Sequence, residues 1–301
     1  MTGIAMTGGT GFVGSRLIAL ARQAGYTVRA LTRRPQPPRV GVEWIDGSLE
    51  DAPALARLTE GADAVIHVAG VVNAPDRAGF EQGNIEGTRA MLTAAHETGV
   101  HRYIQVSSLA TREPGLSRYG WSKHEADKLV QASGLNWTIV RPPAIYGPGD
   151  HELLEIFRLA KHRLALLPPT GRLSVIHVDD LCRLFLTLVE SDPGQVIFEP
   201  DDGVANGWSH KAFARAVGRA QNKRVLTLSL PRSAMLAGAG IDRMIRGKQA
   251  KLTRDRVSYF CHPDWVSAPA RHPPQRLWQP KIDTPQGLAD TARWYQDNGL
   301  L

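Results

Sequence analysis

Short apolar runs alternate with longer stretches of helical period along the first half of the chain. The runs at residues 4–7, 27–31, 42–45, 64–70, 103–106 and 136–140 predict buried strands. The stretches at 15–20, 53–58, 84–98 and 119–133 carry apolar residues at the spacing of one helical face. Strands that alternate with helices predict an α/β fold built on a doubly wound parallel sheet. Beyond Gly147 the alternation loosens, with helices predicted at 153–164 and 180–190 and strands at 174–178, 196–198 and 225–230. That change divides the chain into a nucleotide-binding domain, residues 1–146, and a smaller C-terminal α/β substrate-binding region, residues 147–301, with strands that return to the main sheet. Residues 141–150 hold three prolines and two glycines and predict a stiff loop without regular structure at a strand's carboxyl end, where open α/β sheets bind their ligands. The proline-rich stretch 268–280 reads as a surface loop.

Between the first strand and the first helix lies Gly8-Gly9-Thr10-Gly11-Phe12-Val13-Gly14. Gly8 allows a tight turn out of the strand, Gly11 lets the backbone approach a pyrophosphate, and Gly14 lets the helix pack against the sheet. Thr10, Phe12 and Val13 complete the loop. The free amides and positive dipole end of the helix then hold phosphates, which predicts a Rossmann-type dinucleotide site. The second strand ends in Thr32-Arg33-Arg34-Pro35 without an acid to bind the ribose hydroxyls of NAD(H). Two arginines there suit the 2′-phosphate of NADP(H), which is the favoured cofactor; NAD(H) is the second choice. The turn at 46–51, with Ser48 and Leu49, is placed to lie beside the adenine. Ala69 and Gly70, just past the fourth strand, leave room for the cofactor's ring. His67 sits inside an apolar run and reads as a hydrogen-bonded core histidine.

Tyr119 and Lys123 are four residues apart on one predicted helix and so share a face. A phenol titrating near ~10 moves protons poorly at neutral pH. A neighbouring ammonium favours the phenolate and is expected to lower the Tyr119 pKa, which suits acid–base work. A hydroxyl from Ser108, or from Ser107 beside it at the end of the fifth strand, can hold a substrate carbonyl next to the phenol. Ser108 is the preferred candidate.

In these motifs the chain resembles the extended or atypical short-chain dehydrogenases/reductases of the NAD-dependent epimerase/dehydratase group. Thr7 through Gly14 is similar to that group's T-G-x-x-G-x-x-G loop, and Tyr119 and Lys123 match its Y-x-x-x-K. Asn84 matches the group's helix asparagine, and Arg141-Pro142-Pro143-Ala144 through Asp150 resembles the loop that packs on the nicotinamide. Residues 177–181 are similar to the segment that ties the two halves together. The segments 261–265 and 291–295 most resemble the branch of the NADPH-binding accessory subunit of respiratory complex I and of bacterial keto-lipid (ketoceramide) reductases. The resemblance implies hydride delivery from NADPH to a ketone held by Ser108 and Tyr119. It implies that Tyr119 supplies the proton, that Lys123 binds the nicotinamide ribose, and that Asn84 holds a water relay or the local backbone. It also implies nucleotide contacts from Ser107, Pro142, Pro143 and Ala144. Two departures stand out: Gly47-Ser48-Leu49 replaces the group's Gly-Asp-Leu, and the loop from Ser108 to Tyr119 is shorter than in sugar-nucleotide epimerases. The short loop disfavours epimerase or dehydratase chemistry on a sugar nucleotide. A cofactor-holding assembly protein without turnover is the other alternative, and the Ser108–Tyr119–Lys123 set argues against it.

Composition narrows the partners. The chain has 301 residues, two cysteines and a net charge of +7. No apolar stretch approaches the ~20 residues that span a bilayer, and Met1 leads straight into the first strand, so no leader segment is expected. Cys182 and Cys261 lack metal-ligand spacing, and no metal site is expected. A reducing, cytosolic setting follows. Residues 232–256 carry Arg232, Arg243, Arg246, Lys248, Lys251, Arg254 and Arg256 against Asp242 and Asp255. No aromatic platform interleaves with these bases, so nucleic acid is not an expected partner. Ile241, Met244 and Ile245 fall at helical spacing among them. Such a helix can rest on the anionic inner face of a membrane, or it can be a core helix with a solvated basic face. The second half has few polar residues suited to a sugar nucleotide, and the expected substrate is a small hydrophobic or lipid ketone.

Overall fold

The computed structural model describes residues 2–247 and 252–301. Lys248 and Lys251, named above among the basic residues, lie outside the described residues. Seven strands form one parallel sheet: β1 (Gly3–Thr7), β2 (Thr27–Thr32), β3 (Val42–Asp46), β4 (Ala64–His67), β5 (Arg102–Val106), β6 (Asn136–Val140) and β11 (Val196–Phe198). Their spatial order is β11-β6-β5-β4-β1-β2-β3, each pair parallel. Two smaller parallel pairs, β7 (Ala144–Tyr146) with β10 (Val175–His177) and β8 (Leu164–Leu167) with β13 (Leu226–Ser229), lie apart from it. A third small sheet joins β9 (Arg172–Leu173) to β12 (Trp208–Ser209) and β14 (Asp264–Trp265).

Each sheet face is covered by helices whose apolar stripes supply the core. Helices α1 (Phe12–Gln23) and α7 (Val178–Glu190) bury Leu17, Ile18, Leu181, Phe185 and Leu188 against one face. Helices α2 (Ala52–Thr59), α4 (Gly87–Glu97) and α5 (Arg118–Gln131) cover the other with Leu55, Leu58, Met91 and Val130. The chain enters α4 through α3 (Arg77–Phe80) and one π-helical turn, Glu81–Glu86, so the predicted helix starts earlier than its periodicity indicated. Strands β1 and β4 are almost wholly apolar because both faces of the sheet are covered, and β5 adds the buried polar side chains of Arg102 and Gln105 in the same setting.

Helices α6 (Leu154–Lys161), α8 (His210–Ala220) and α11 (Thr284–Asp297) pack together around Phe157, Val217, Leu288 and Tyr295. Helices α9 (Arg232–Arg246) and α10 (Arg254–Phe260) rest on a small core of their own, Met235, Ala239 and Val257. The segment 177–181 does join these parts. The His177 side chain caps α7, Asp179 binds Arg16 of α1 (Oδ2 to Nη2, 2.7 Å), and Asp180 accepts from the amides of Lys281 and Ile282.

Two expectations need correction. Residues 141–150 contain the short strand β7, since Ala144–Tyr146 finds a partner in β10 that local composition could not reveal. The stretch 268–280 is more than surface: Trp278 is buried and donates from Nε1 to the Asp180 carbonyl at 3.0 Å.

Gly14 also works differently from its predicted part. A Cβ there would lie 2.1 Å from the Gly8 carbonyl oxygen and 2.9 Å from the Gly9 Cα, so at this position the helix meets the turn itself. Gly14→Ala forces that backbone apart. We expect a loss of about 1–3 kcal/mol in unfolding free energy, read from denaturant midpoints; an unchanged midpoint contradicts the close approach.

Candidate active site

Strands β1 and β4 are neighbours, yet the chain leaves them toward opposite edges of the sheet. The crevice above their carboxyl ends is therefore the topological switch point. Thr7 Oγ1 stitches the two ends together, accepting from the Ala69 amide at 3.1 Å and lying 2.8 Å from His67 Nδ1. His67 is fully buried, and burial followed by the charge of Lys123 pulls its pKa down to about 3, so it is a neutral core group. Gly8 turns the chain with φ of +73°, and a Cβ there would lie 2.7 Å from the Ala69 amide nitrogen. Gly11 is the N-terminal boundary residue of α1, with no side-chain cap and no acid in the first turn. The leading amides of α1 are thus left to a ligand.

A cleft of about 1930 Å³ runs from this turn to the C-terminal helices. It exceeds the ~1,000 Å³ upper range of single-ligand pockets, leaving room for a dinucleotide and a second molecule. Gly8, Thr10, Gly11, Phe12, Val13, Arg33, Ser48, Leu49, Ala69, Gly70, Ser108, Tyr119, Pro143 and Ala144 all line it. Arg34, Asn84, Ser107, Lys123 and Pro142 do not. The positive-φ turn, the uncapped helix and the cleft beyond them fit a pyridine dinucleotide. His151 is exposed and also lines the cleft, with its ring edge-on to Trp294.

Helix α5 sets the reactive groups. The Ser117 hydroxyl accepts from the Gly120 amide at 2.9 Å and starts the helix, and the turns that follow bring Tyr119, Lys123 and Asp127 to one side. Ser108 faces the cleft with its hydroxyl close enough to the Tyr119 phenol to act on its pKa. Ser107 turns away, toward the buried carboxylate of Asp127. Lys123 Nζ donates to the Val106 carbonyl at 2.7 Å, at the end of β5. It also lies 3.6 Å from where a Cβ on Gly70 would stand.

The expected electrostatics are reversed in one respect. The Tyr119 pKa is raised, because burial, helped by the nearby Asp127 and Glu152 charges, outweighs the lowering effect of Ser108. Desolvation acts on the lysine as well: the Lys123 pKa falls to about 8, with Asp127 opposing the drop. The resting protein therefore holds a neutral phenol beside a cation that loses its proton just above neutral pH.

Beneath these groups lies a buried pair that the sequence reading did not identify. Arg141 Nε donates to Asp127 Oδ2 at 2.9 Å, and both residues are buried. The available signal was Asp127 itself, four residues after Lys123 on the same helical face. Asn84, on the π-helical turn, holds local backbone. It accepts from the Val71 amide at 2.7 Å and donates to the Val71 carbonyl at 3.0 Å and to Ser122 Oγ at 2.8 Å. Asp150, at the end of the loop 141–150, has contacts that its local sequence did not reveal. It is buried at the cleft edge, accepts from the amides of Glu152 and Leu153, and faces the Tyr295 hydroxyl at 3.3 Å.

Asp127→Asn leaves the Arg141 guanidinium buried without its counter-charge. We expect a destabilisation of about 3 kcal/mol by denaturant unfolding. The same change removes the group that raises the Lys123 pKa, so the lysine should titrate below its wild-type value when followed by NMR. A Lys123 titration that stays in place removes the electrostatic link between the two.

Comparison with known proteins agrees with this geometry. Residues 8–157 match the NAD(P)H-binding family model. The chain is 35% identical over 307 aligned positions to a ceramide reductase of Caulobacter vibrioides, covering 99% of this chain and 96% of that one. It is 29% identical to a farnesyl-dihydroquinoline-oxide ketoreductase of Stigmatella aurantiaca, covering 66% of this chain and 67% of the relative. Among solved structures, MoeE5 in complex with UDP-glucose and NAD superposes with a TM-score of 0.76 over 99% of both chains at 20% identity, a likeness of fold alone. The switch-point cleft, the glycine turn and the full-length relative lead to one assignment: the chain belongs to the epimerase/dehydratase-like group of NAD(P)-binding short-chain dehydrogenases/reductases, and it is an NAD(P)-dependent oxidoreductase.

Proposed function

We propose that this protein is an NADPH-dependent reductase of a ketone on a hydrophobic, lipid-like substrate, with Ser108, Tyr119 and Lys123 as its reactive set. One observation carries the reading: the Tyr119 phenol faces the cleft from the same helix as Lys123, touches Ser108, and is kept protonated by burial. A neutral phenol is a proton donor, and ketone reduction needs a donor at the oxygen. A reduced nicotinamide bound at the switch point supplies the hydride to the carbonyl carbon. Tyr119 gives its proton to the carbonyl oxygen as charge develops there, and the Ser108 hydroxyl donates a hydrogen bond to the same oxygen. Lys123, anchored on the Val106 carbonyl, holds a positive charge beneath the Gly70 backbone, from which it would act on the ribose of a bound nicotinamide nucleotide.

Arg33 lines the cleft at the end of β2, exposed and with no acid at that strand end, which supports a 2′-phosphate and so NADP(H) over NAD(H). The apolar substrate is supported by Phe80, Leu153, Leu252 and Phe260 around the far end of the cleft. The full-length relative named as a ceramide reductase supports it too. Sugar-nucleotide epimerisation is the alternative that the shared fold leaves open, and the tests below separate the two.

Purified protein should oxidise NADPH when given a long-chain keto lipid. Tyr119→Phe should lower kcat by roughly 10²–10⁴-fold while leaving NADPH affinity within about threefold. A variant that keeps wild-type turnover refutes the proton donor, and turnover of UDP-sugars in place of keto lipids favours the alternative. The pH profile has a definite sign. Lys123 is charged below about 8 and neutral above it, so kcat/KM for reduction should be level below that pH and fall above it. Arg33→Ser should weaken NADPH binding by about tenfold or more and leave NADH binding nearly unchanged; equal losses for both cofactors would contradict the phosphate contact.

A further inference from the structure

Helix α9 presents three different faces. Met235 and Ala239 point inward onto Val257 of α10. Gly240, Arg243 and the following Gly247 line the cleft. The remaining face carries Ala234, Ala237, Ile241, Met244 and Ile245, all exposed. The last three are large apolar side chains left 58%, 88% and 77% open to solvent, on two adjoining turns of one helix. Scattered apolar residues are ordinary on a protein surface, whereas a contiguous set on one helical face marks a contact site.

The charge around this face selects among partners. Arg232, Arg243, Arg246, Arg254 and Arg256 stand on α9 and α10, against Asp242 and Asp255. Asp242 is engaged with the Leu252 amide and with Arg246, and Arg256 reaches Glu152. Among the described residues, no ion pair is formed by Arg232, Arg243 or Arg254. An apolar helical face bordered by uncompensated arginines has the composition of an interfacial membrane helix, with aliphatic chains for the acyl boundary and guanidinium groups for anionic headgroups. Among the described residues no helix is long and apolar enough to cross a membrane, so any such contact is made from one side.

We propose that the outer face of α9 docks on an anionic lipid bilayer through Ile241, Met244 and Ile245, and that the cleft mouth, lined by Gly240, Arg243 and Phe260, is thereby presented to the lipid surface. This rests on the reading of the substrate as a lipid ketone and adds how that substrate arrives, by lateral entry from the bilayer rather than from solution. Helix geometry supports the link. Successive residues turn by about 100°, so Met244 projects only about 40° from Gly240, and the docking face adjoins the cleft-lining face. Arg243 of α9 and Arg254 and Arg256 of α10 line the cleft, where headgroups would surround the entrance.

The full-length protein is tested by co-sedimentation with vesicles of phosphatidylcholine alone and of phosphatidylcholine mixed with phosphatidylglycerol. Binding should require the anionic lipid and weaken with added salt. Met244→Ser with Ile245→Ser should reduce it by about tenfold or more without altering the circular dichroism spectrum. That double variant should keep wild-type turnover of a short, water-soluble ketone but lose turnover of a keto lipid embedded in the vesicles. Equal binding to both vesicle types, or binding unchanged in the double variant, overturns the proposal. So does a shift of the lesion to the exposed leucines of β13, with Leu226→Ser and Leu228→Ser abolishing binding in its place. A concentration-dependent dimer that the double variant abolishes, without vesicle binding, assigns the face to a second copy and overturns it as well. Vesicle binding without any ketone reduction would sink the reductase reading and leave the docking face standing, so the two failures are separable.

Discussion

The molecule depends on a backbone that closes on itself where β1 gives way to α1. The Gly8 carbonyl accepts from the Gly11 amide at 3.1 Å, and the Gly14 Cα sits where any side chain would strike that carbonyl. Compression of this kind costs conformational freedom, and only glycine supplies it without strain. The return is a helix that begins directly above the sheet edge with its first amides unoccupied. Everything that lines the cleft is measured from that point. The β4 end is fixed to it through Thr7, β5 delivers Ser108 two strands away, and α5 crosses over with the phenol.

Charge burial is the second constraint. Three ionisable groups of α5 lie on one side of the helix, and desolvation is the largest influence on each, raising Tyr119 and Asp127 and lowering Lys123. The Asp127–Arg141 pair makes the arrangement tolerable, because it places opposite charge beneath the lysine and gives the carboxylate a partner. The sequence reading expected the lysine to act on the tyrosine. In the folded protein the same burial acts on both and moves each toward its neutral form. A site tuned by exclusion of water responds to whatever enters the cleft more than to the identity of one neighbouring residue.

Much of this was legible beforehand, for physical reasons. The central strands β1, β4 and β6 are buried along nearly their whole length and largely apolar, so their positions followed from hydrophobic runs, although the run at 64–70 outlasts β4 by three residues. The glycine turn and the Tyr119–Lys123 spacing are local, and local features survive in one dimension. What escaped was long-range. Strand β7 exists only because β10 lies beside it, and Trp278 is buried only because Asp180 offers its carbonyl. Arg141 was visible as a letter before a proline pair, but nothing local said it would meet Asp127 across the end of the sheet. Helices α8, α10 and α11 were not assigned either, since their apolar stripes serve small separate cores rather than the sheet.

The π-helical turn at Glu81–Glu86 has a mechanical consequence. One residue more than an α-turn holds is accommodated there, and Asn84 is thrown inward far enough to grip both polar groups of Val71 and the Ser122 hydroxyl. A single carboxamide thus clamps the wall beyond β4 to the helix that carries Tyr119 and Lys123, so those two sides of the crevice form one stiff jaw. The opposing jaw, α9 with α10, is seated on three buried side chains, Met235, Ala239 and Val257. The side that holds the proton donor is thus braced twice, by Asn84 and by α10, where the Asp255 carboxylate accepts from the Arg118 amide at the start of α5 at 2.9 Å.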